Sequence, residues 1–215
     1  MKLPRVILAD DHTLVADALS QLLAPHCEIV ATVADGHALL DSAVLLNPDV
    51  VVVDIAMPLL NGLEAGRQLN EKMPGVKIVF LTMNEDPELA VEAIKAGASA
   101  YVSKKSAVSE LLSAIQVVLR GRTYVTPQIA RGMQESFIRD PLGRKHPKAI
   151  TPRQREVVQL LAEGKSMKQV AYALKVTPRT VAFHKYRIMQ ELGLRTNAEL
   201  VQFAVKSRIV VGSTD

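Results

Sequence analysis

What most constrains this chain is an alternation, repeated five times in its first 120 residues, of short uninterrupted apolar runs with amphipathic stretches. The runs are Val6 to Ala9, Ile29 to Val33, Val50 to Val53, Lys77 to Leu81 and Ala100 to Ser103. The stretches that follow them fall near 13 to 24, 37 to 47, 62 to 73, 87 to 96 and 106 to 119. A strand that is apolar on both faces must be covered on both, which is the situation of a parallel sheet with helices above and below. Strict βα alternation with right-handed crossovers therefore predicts a doubly wound α/β domain around a five-stranded parallel sheet. Ligands of such sheets bind outside the carboxyl ends of the strands, so the residues that end or follow each run are the candidates for chemistry.

Asp10 and Asp11 follow the first run, Asp54 ends the third, Thr82 ends the fourth and Lys104 follows the fifth. Each has an ordinary reading by itself: an aspartate can cap a helix, a threonine suits a strand, and a lysine can be a solvated charge. Their joint placement at strand ends favours a single site. Carboxylates converging there without a cation would repel one another and raise at least one pKa. A hard divalent cation relieves that repulsion, and few protein ligands with room for water and phosphoryl oxygens suit Mg²⁺. Lys104 would then neutralise a phosphoryl group and Thr82 would hydrogen-bond it.

Asp10-Asp11-His12, the run from Asp54 through Met57-Pro58 to Asn61-Gly62, Leu81-Thr82, and Gly97 through Tyr101 to Lys104 resemble the receiver domains of bacterial two-component systems, over residues 3 to 120. The resemblance implies a flavodoxin-like fold in which Asp54 is the phospho-acceptor, taking its phosphoryl group from the phosphohistidine of a sensor histidine kinase. It implies that Asp11, the Asp54 carboxylate and the Ala56 carbonyl ligate Mg²⁺ directly, with Asp10 acting through water. Thr82 and Tyr101 would form a switch pair, and Lys104 would contact the phosphoryl oxygens. Many such domains carry proline after that lysine; this chain has Lys105, a departure that bears on the local backbone and leaves the chemistry at Asp54 untouched.

Charge separates the chain into two parts. Residues 1 to 120 hold nine Lys/Arg against fifteen Asp/Glu, a balance of −6, and residues 121 to 215 hold seventeen against seven, a balance of +10. The acidic part is a poor partner for nucleic acid, whereas the basic block has the electrostatic footprint of a DNA-binding module, or else of a surface kept soluble by charge. The lone cysteine, Cys27, has no partner for an intramolecular disulfide and no metal-ligand spacing around it, so it is expected as a buried core thiol in a reducing compartment. Apolar tracts such as Val50 to Val53 are too short for a membrane span or a signal-peptide core, and a cytoplasmic protein without a membrane partner is expected.

Residues 121 to 147, with Gly121, Pro127, Gly132, Pro141, Gly143 and Pro147, suggest a linker with one short helix near 128 to 137. From 148 to 211 the pattern is all-α. Thr151 and Gln154, Ser166 and Gln169, and Thr196 and Glu199 have capping-box spacing, Gly164 and Gly193 fit positions just past helix ends, and Thr177-Pro178 marks another start. Helices near 152 to 163, 167 to 174, 178 to 192 and 197 to 207 result, and the short connection Lys175-Val176-Thr177 is that of a helix-turn-helix. At 3.6 residues per turn the third of these helices puts Val181, Ile188 and Leu192 on a core face. His184 and Lys185 flank it, and His184 is expected to be structural. The opposite face carries Arg179, Phe183, Tyr186, Arg187 and Gln190, with Ala182 at its margin. Arginine there would read guanine or phosphate, and apolar groups would meet thymine methyls.

Ile150-Thr151-Pro152-Arg153-Gln154-Arg155-Glu156, Leu161 to Ser166 and Thr180-Val181-Ala182-Phe183-His184 resemble the LuxR-type DNA-binding domain, so that the whole chain resembles the NarL/FixJ response regulators. The DNA-binding residues then expected are Arg179, Thr180, Ala182, Phe183, Lys185, Tyr186 and Arg187. Ala182 stands where the family often has lysine, which removes one contact. The fourth helix would carry homodimerisation in the phosphorylated or DNA-bound state through Leu200, Val201, Ala204 and Val205. A Mg²⁺-dependent phosphohydrolase with Asp54 as nucleophile is the rival reading, but it wants a second acid two residues on, and that position is Ala56.

Overall fold

The computed structural model describes residues 2–139 apart from 84, 86 and 107, and residues 150–210 apart from 208. The chain divides into two compact units, Met1–Leu142 and Gly143–Asp215. The first unit contains β1 (Arg5–Ala9), α1 (Thr13–Leu23), β2 (Glu28–Val33), α2 (Gly36–Leu46), β3 (Val50–Asp54) and α3 (Gly62–Lys72). It continues with β4 (Lys77–Thr82), α4 (Pro87–Lys95), β5 (Ala100–Ser103), α5 (Val108–Leu119), β6 (Tyr124–Val125) and α6 (Pro127–Arg139). All strand pairs are parallel, in the order β2-β1-β3-β4-β5-β6.

Alternate strand residues feed two cores. Ile7, Ala9, Val51, Val53, Ile78 and Phe80 join residues of α2, α3, α4 and α6, while Val6, Leu8, Val50, Val52, Val79 and Leu81 join Leu23 of α1 and Leu111, Ala114, Ile115 and Val118 of α5. Each fully buried branched side chain contributes about 1.5–3 kcal/mol, so the uninterrupted runs are what hold the sheet between its helix layers. Cys27 lies buried in the second of these cores, and burial pushes its thiol pKa up.

The sheet has six strands where the sequence predicts five. Tyr124 donates its N–H to the Ser99 carbonyl (3.1 Å) and Thr126 to the Tyr101 carbonyl (3.0 Å), adding a two-residue strand beside β5. Helix α6 begins directly after it, buries Ile129 in the core, and brings Gly132 so close to Pro87 of α4 that a Cβ would sit 2.5 Å from the proline ring. As far as residue 139, the segment expected as a linker is therefore part of the first unit.

The second unit comprises α7 (Pro152–Ala162), α8 (Met167–Ala173), α9 (Pro178–Leu192) and α10 (Asn197–Lys206). Thr151 and Ser166 form full capping boxes with Gln154 and Gln169, and Thr177 and Thr196 accept from the third residue of their helices. Lys175, at φ +53°, takes the left-handed conformation that ends α8, and Val176 N–H returns to the Ala171 carbonyl (3.0 Å). Ile150, Val158, Ile188, Leu200, Ala204 and Ile209 form the core. That placement corrects the expectation for α10. Leu200 (2 % exposed) and Ala204 (0 %) lie one turn apart on its inner face, so of the four residues expected to form the dimer surface only Val201 (38 %) and Val205 (42 %) are exposed.

Candidate functional site

The sheet order reverses direction between β1 and β3, and a crevice is expected at the carboxyl ends of those two strands. Asp10, at the end of β1, and Asp54, the last residue of β3, are both buried there, with Asp11 and His12 beside them. One ligand atom from each of Asp10, Asp11, His12 and Asp54 can lie within 4.8 Å of the others. Lys104, just past β5, reaches across to place Nζ 2.6 Å from Asp10 Oδ2 and 2.9 Å from Asp54 Oδ2. His12 Nδ1 lies 2.9 Å from Asp11 Oδ1 and 3.3 Å from Asp10 Oδ1, and its N–H donates to Asp10 Oδ1.

Burial pushes the Asp54 carboxyl above the usual carboxylate range and the Asp10 charge adds to this; Lys104 and the Ala56 N–H work in the opposite direction and do not cancel it. For Lys104, burial alone would depress the ammonium. Its hydrogen bonds and charge interactions with Asp10 and Asp54 outweigh that and hold its pKa above the ordinary value. An ammonium drawn between two buried carboxylates marks a place that demands positive charge. The donors are hard oxygens, and the set fits a small divalent cation as well as it fits lysine.

The loop after Asp54 is built around the site. Asn61 caps α3 by accepting from Glu64 N–H (2.9 Å), and Gly62 packs against the strand end so tightly that a Cβ would lie 1.9 Å from the Asp54 carbonyl oxygen. Ala56 is exposed beside the carboxylate, and Leu59 adopts φ +66°, left-handed for a branched residue with no glycine to announce it. Thr82 (4 % exposed) and Tyr101 (0 %) both lie inward. Past β5, Ser103 Oγ donates to Glu85 Oε1 (2.7 Å) and accepts from Lys105 N–H (3.2 Å), while Ser103 N–H donates to Thr126 Oγ1 (3.2 Å). The sequence reading assigns no role to His12, Ser103, Glu85 or Thr126. For Ser103, Glu85 and Thr126 the signal is only spatial, because their partners lie on different strands and loops; His12 sits beside its partners in the sequence, within the acidic motif.

In the second unit, Val181 and Ile188 of α9 are buried, and the opposite face presents exposed Arg179, Phe183 (58 %), Tyr186 (61 %) and Arg187. Arg187 Nε donates to Glu191 Oε1 (2.8 Å), and Lys185 Nζ stands 5.5 Å from the Tyr186 ring centroid. Thr180 pairs its hydroxyl with that of Thr177 (2.9 Å), Ala182 is half-buried, and His184 sits edge-on to Phe183 at 5.7 Å. Gln154 Nε2 reaches Glu191 Oε2 (3.4 Å), and Arg153 donates to Glu156 (2.5 Å) and to the Leu174 carbonyl (2.8 Å), linking α7 to α9 and to the end of α8. Among the described residues, no helix is long and apolar enough to cross a membrane.

Residues 6–116 match the response regulator receiver domain, and residues 148–204 match the LuxR family of bacterial regulatory proteins. The oxygen regulatory protein NreC of Staphylococcus carnosus is 33% identical over 214 residues, covering 96% of this chain and 99% of that protein; NreC of Staphylococcus aureus is similar to the same extent. A LuxR-family two-component response regulator from Aurantimonas sp. has a crystal structure that matches 64% of this chain and 99% of its own, at 33% identity and a TM-score of 0.61. Salmonella typhimurium RcsB shares the fold over 96% of this chain and 99% of its own, at 23% identity and a TM-score of 0.64.

Proposed function

This chain belongs to the response regulators, a receiver domain joined to a LuxR-type DNA-binding domain, and on that premise we propose that Asp54 accepts a phosphoryl group from the phosphohistidine of a sensor kinase. The observation that carries the assignment is the Lys104 ammonium held between Asp54 and Asp10, at 2.9 and 2.6 Å, at the strand-reversal crevice. An Asp54 carboxylate oxygen attacks phosphorus, the P–N bond breaks, and the leaving imidazole nitrogen takes up a proton. Lys104 is placed to neutralise the phosphoryl oxygens as they arrive, and Thr82 to hydrogen-bond one of them.

Asp10, Asp11, Asp54 and the Ala56 carbonyl would hold Mg²⁺. The ion, when bound, supplies charge neutralisation at the phosphoryl oxygens. Thr82 and Tyr101 form the switch pair; since both side chains are inward already, the phosphoryl group holds an inward arrangement in place rather than drawing the tyrosine from solvent. Moving such an equilibrium from 1:99 to 99:1 takes roughly 5.5 kcal/mol of differential stabilisation.

The output is DNA binding by the exposed face of α9. Arg179, Thr180, Ala182, Phe183, Lys185, Tyr186 and Arg187 meet the duplex, and Val201 and Val205 form the apolar part of a homodimer contact. The setting is the cytoplasm, where a kinase can reach Asp54. A phosphohydrolase reading finds no support at Ala56, whose methyl offers no acid where the second catalytic group would be needed.

The test is labelling by a small phosphodonor. Asp54→Asn abolishes it, and Asp10→Ala/Asp11→Ala abolishes both labelling and calorimetric Mg²⁺ binding. Label persisting on another aspartate in Asp54→Asn refutes the assignment, and continuous turnover of the donor, in place of one stable modification, would point back to the hydrolase.

A further inference from the structure

Lys104 must be aimed at Asp54 from a turn that lacks the proline many receiver domains place after the lysine; Lys105 stands there instead. The structure shows what holds the turn. Lys104 donates its own N–H to the Thr82 carbonyl (2.7 Å), Lys105 N–H donates to Ser103 Oγ (3.2 Å), and Ser103 N–H donates to Thr126 Oγ1 (3.2 Å). Ser103 and Thr126 are both buried. The Thr126 hydroxyl in turn donates to the Glu110 carboxylate, which also accepts from Ser106 and from Tyr124 Oη (3.1 Å). The Thr126 hydroxyl thus acts as both acceptor and donor, and its two partners, Ser103 and Glu110, belong to β5 and to α5. Its backbone pins the same place, with its N–H on the Tyr101 carbonyl and its carbonyl accepting from Ala130 at the start of α6 (3.0 Å each).

Thr126 lies beyond residues 6–116, the span that matches the receiver family. We propose that Thr126, in the segment that leads away from the receiver, is a positioning residue for phosphoryl acceptance: its hydroxyl fixes the turn that aims Lys104 at Asp54. The proposal rests on the reading of Asp54 and Lys104 given above. Strand β6 is then a working part of the phosphoryl site, and a receiver cut at residue 120 is left without it.

The test compares full-length wild type, Thr126→Val and Thr126→Ser at a temperature where circular dichroism shows all three folded. It has two readouts: the rate of labelling by acetyl phosphate, and amide hydrogen exchange at residues 103–105. Removing one buried hydrogen bond is worth about a three- to tenfold change. Thr126→Val should therefore label about three- to tenfold more slowly and exchange faster at residues 103–105, while Thr126→Ser, which keeps the hydroxyl, matches wild type in both. Wild-type labelling by Thr126→Val, unchanged exchange in it, or a Thr126→Ser variant as slow as the valine would overturn the proposal. A wild type that takes no label at all would instead strike the reading of Asp54, and exchange at residues 103–105 would then decide the role of Thr126 alone.

Discussion

Lys104→Met keeps most of the side chain's length and removes its charge, which isolates what the ammonium does between Asp10 and Asp54. Both carboxylates are nearly inaccessible, at 4% and 5% side-chain exposure, and Lys104 itself is 10% exposed, so solvent screens the cluster poorly. Removing one partner of a buried ion pair costs about 3–5 kcal/mol. With a urea m-value of about 2 kcal/mol/M, the midpoint for the first unit should fall by about 2 M in EDTA. The loss should shrink in Mg²⁺, because the freed carboxylates bind the ion without competition from the ammonium; at a hundredfold excess over Kd the gain is about 2.7 kcal/mol. The pH dependence has a definite sign. Burial already raises the folded-state pKa of Asp54, and without the lysine it rises further, so the folded variant binds protons that the unfolded chain does not. Its stability therefore declines as pH rises from the unfolded carboxylate value of about 3.9 to the raised folded value, and part of the deficit is recovered on acidification through that window. The assay is urea unfolding followed by circular dichroism, with the second unit's transition as reference. A deficit below about 1 kcal/mol in EDTA, or equal stabilisation of variant and wild type by Mg²⁺, would refute the account.

Gly62→Ala forces a methyl against the Asp54 carbonyl oxygen; it should cost about 3 kcal/mol and lower Tm by about 6–12 °C, whereas Gly75→Ala, with nothing within 4 Å of its Cβ, should be close to neutral in the same calorimetric scan. Arg187→Ala should weaken operator and random DNA alike and reduce the salt slope by about one, since the exposed Arg187–Glu191 pair yields readily to a phosphate. Phe183→Ala and Tyr186→Ala should cost about 1–3 kcal/mol on the preferred sequence only; equal losses on both DNAs in salt-titrated binding would show that α9 merely tracks the backbone. Leu200→Ala should destabilise the second unit by about 2–5 kcal/mol. Val201→Asp and Val205→Asp should leave Tm in place and lower the dimer fraction in sedimentation.

The strands were legible because β-branched residues run without interruption where both faces are covered, and Asp54 was legible because a carboxylate ends such a run. Strand β6 was not. Two residues carry no periodicity, and Tyr124-Val125 stands between the turn-forming Gly121 and Pro127, so its neighbours argue for a loop. In α10, apolar residues at 200, 201, 204 and 205 form a stripe wide enough to fit either an interface or a core. Only the packing on α7 turns Leu200 and Ala204 inward. Leu59 and Lys175 take left-handed conformations with neither glycine nor asparagine to signal them. His12 was visible within the acidic motif, but its approach to two carboxylates depends on how the chain leaves β1.

The position of β1 bears on how the protein is made. Although synthesised first, it is flanked by β2 on one side and β3 on the other. Its second partner is complete only when residue 54 has been added, roughly 2–9 s later at 5–20 residues per second. Through that interval Val6-Ile7-Leu8-Ala9 keeps at least one open edge, even once β2 is made, and an apolar strand with an open edge can join strands of other chains. Asp10 and Asp11 follow it at once, as charged gatekeepers do beside hydrophobic strands. Neutralising them should therefore lower soluble yield in rapid expression as well as Mg²⁺ affinity, with the first loss relieved by slower synthesis and the second unaffected by it.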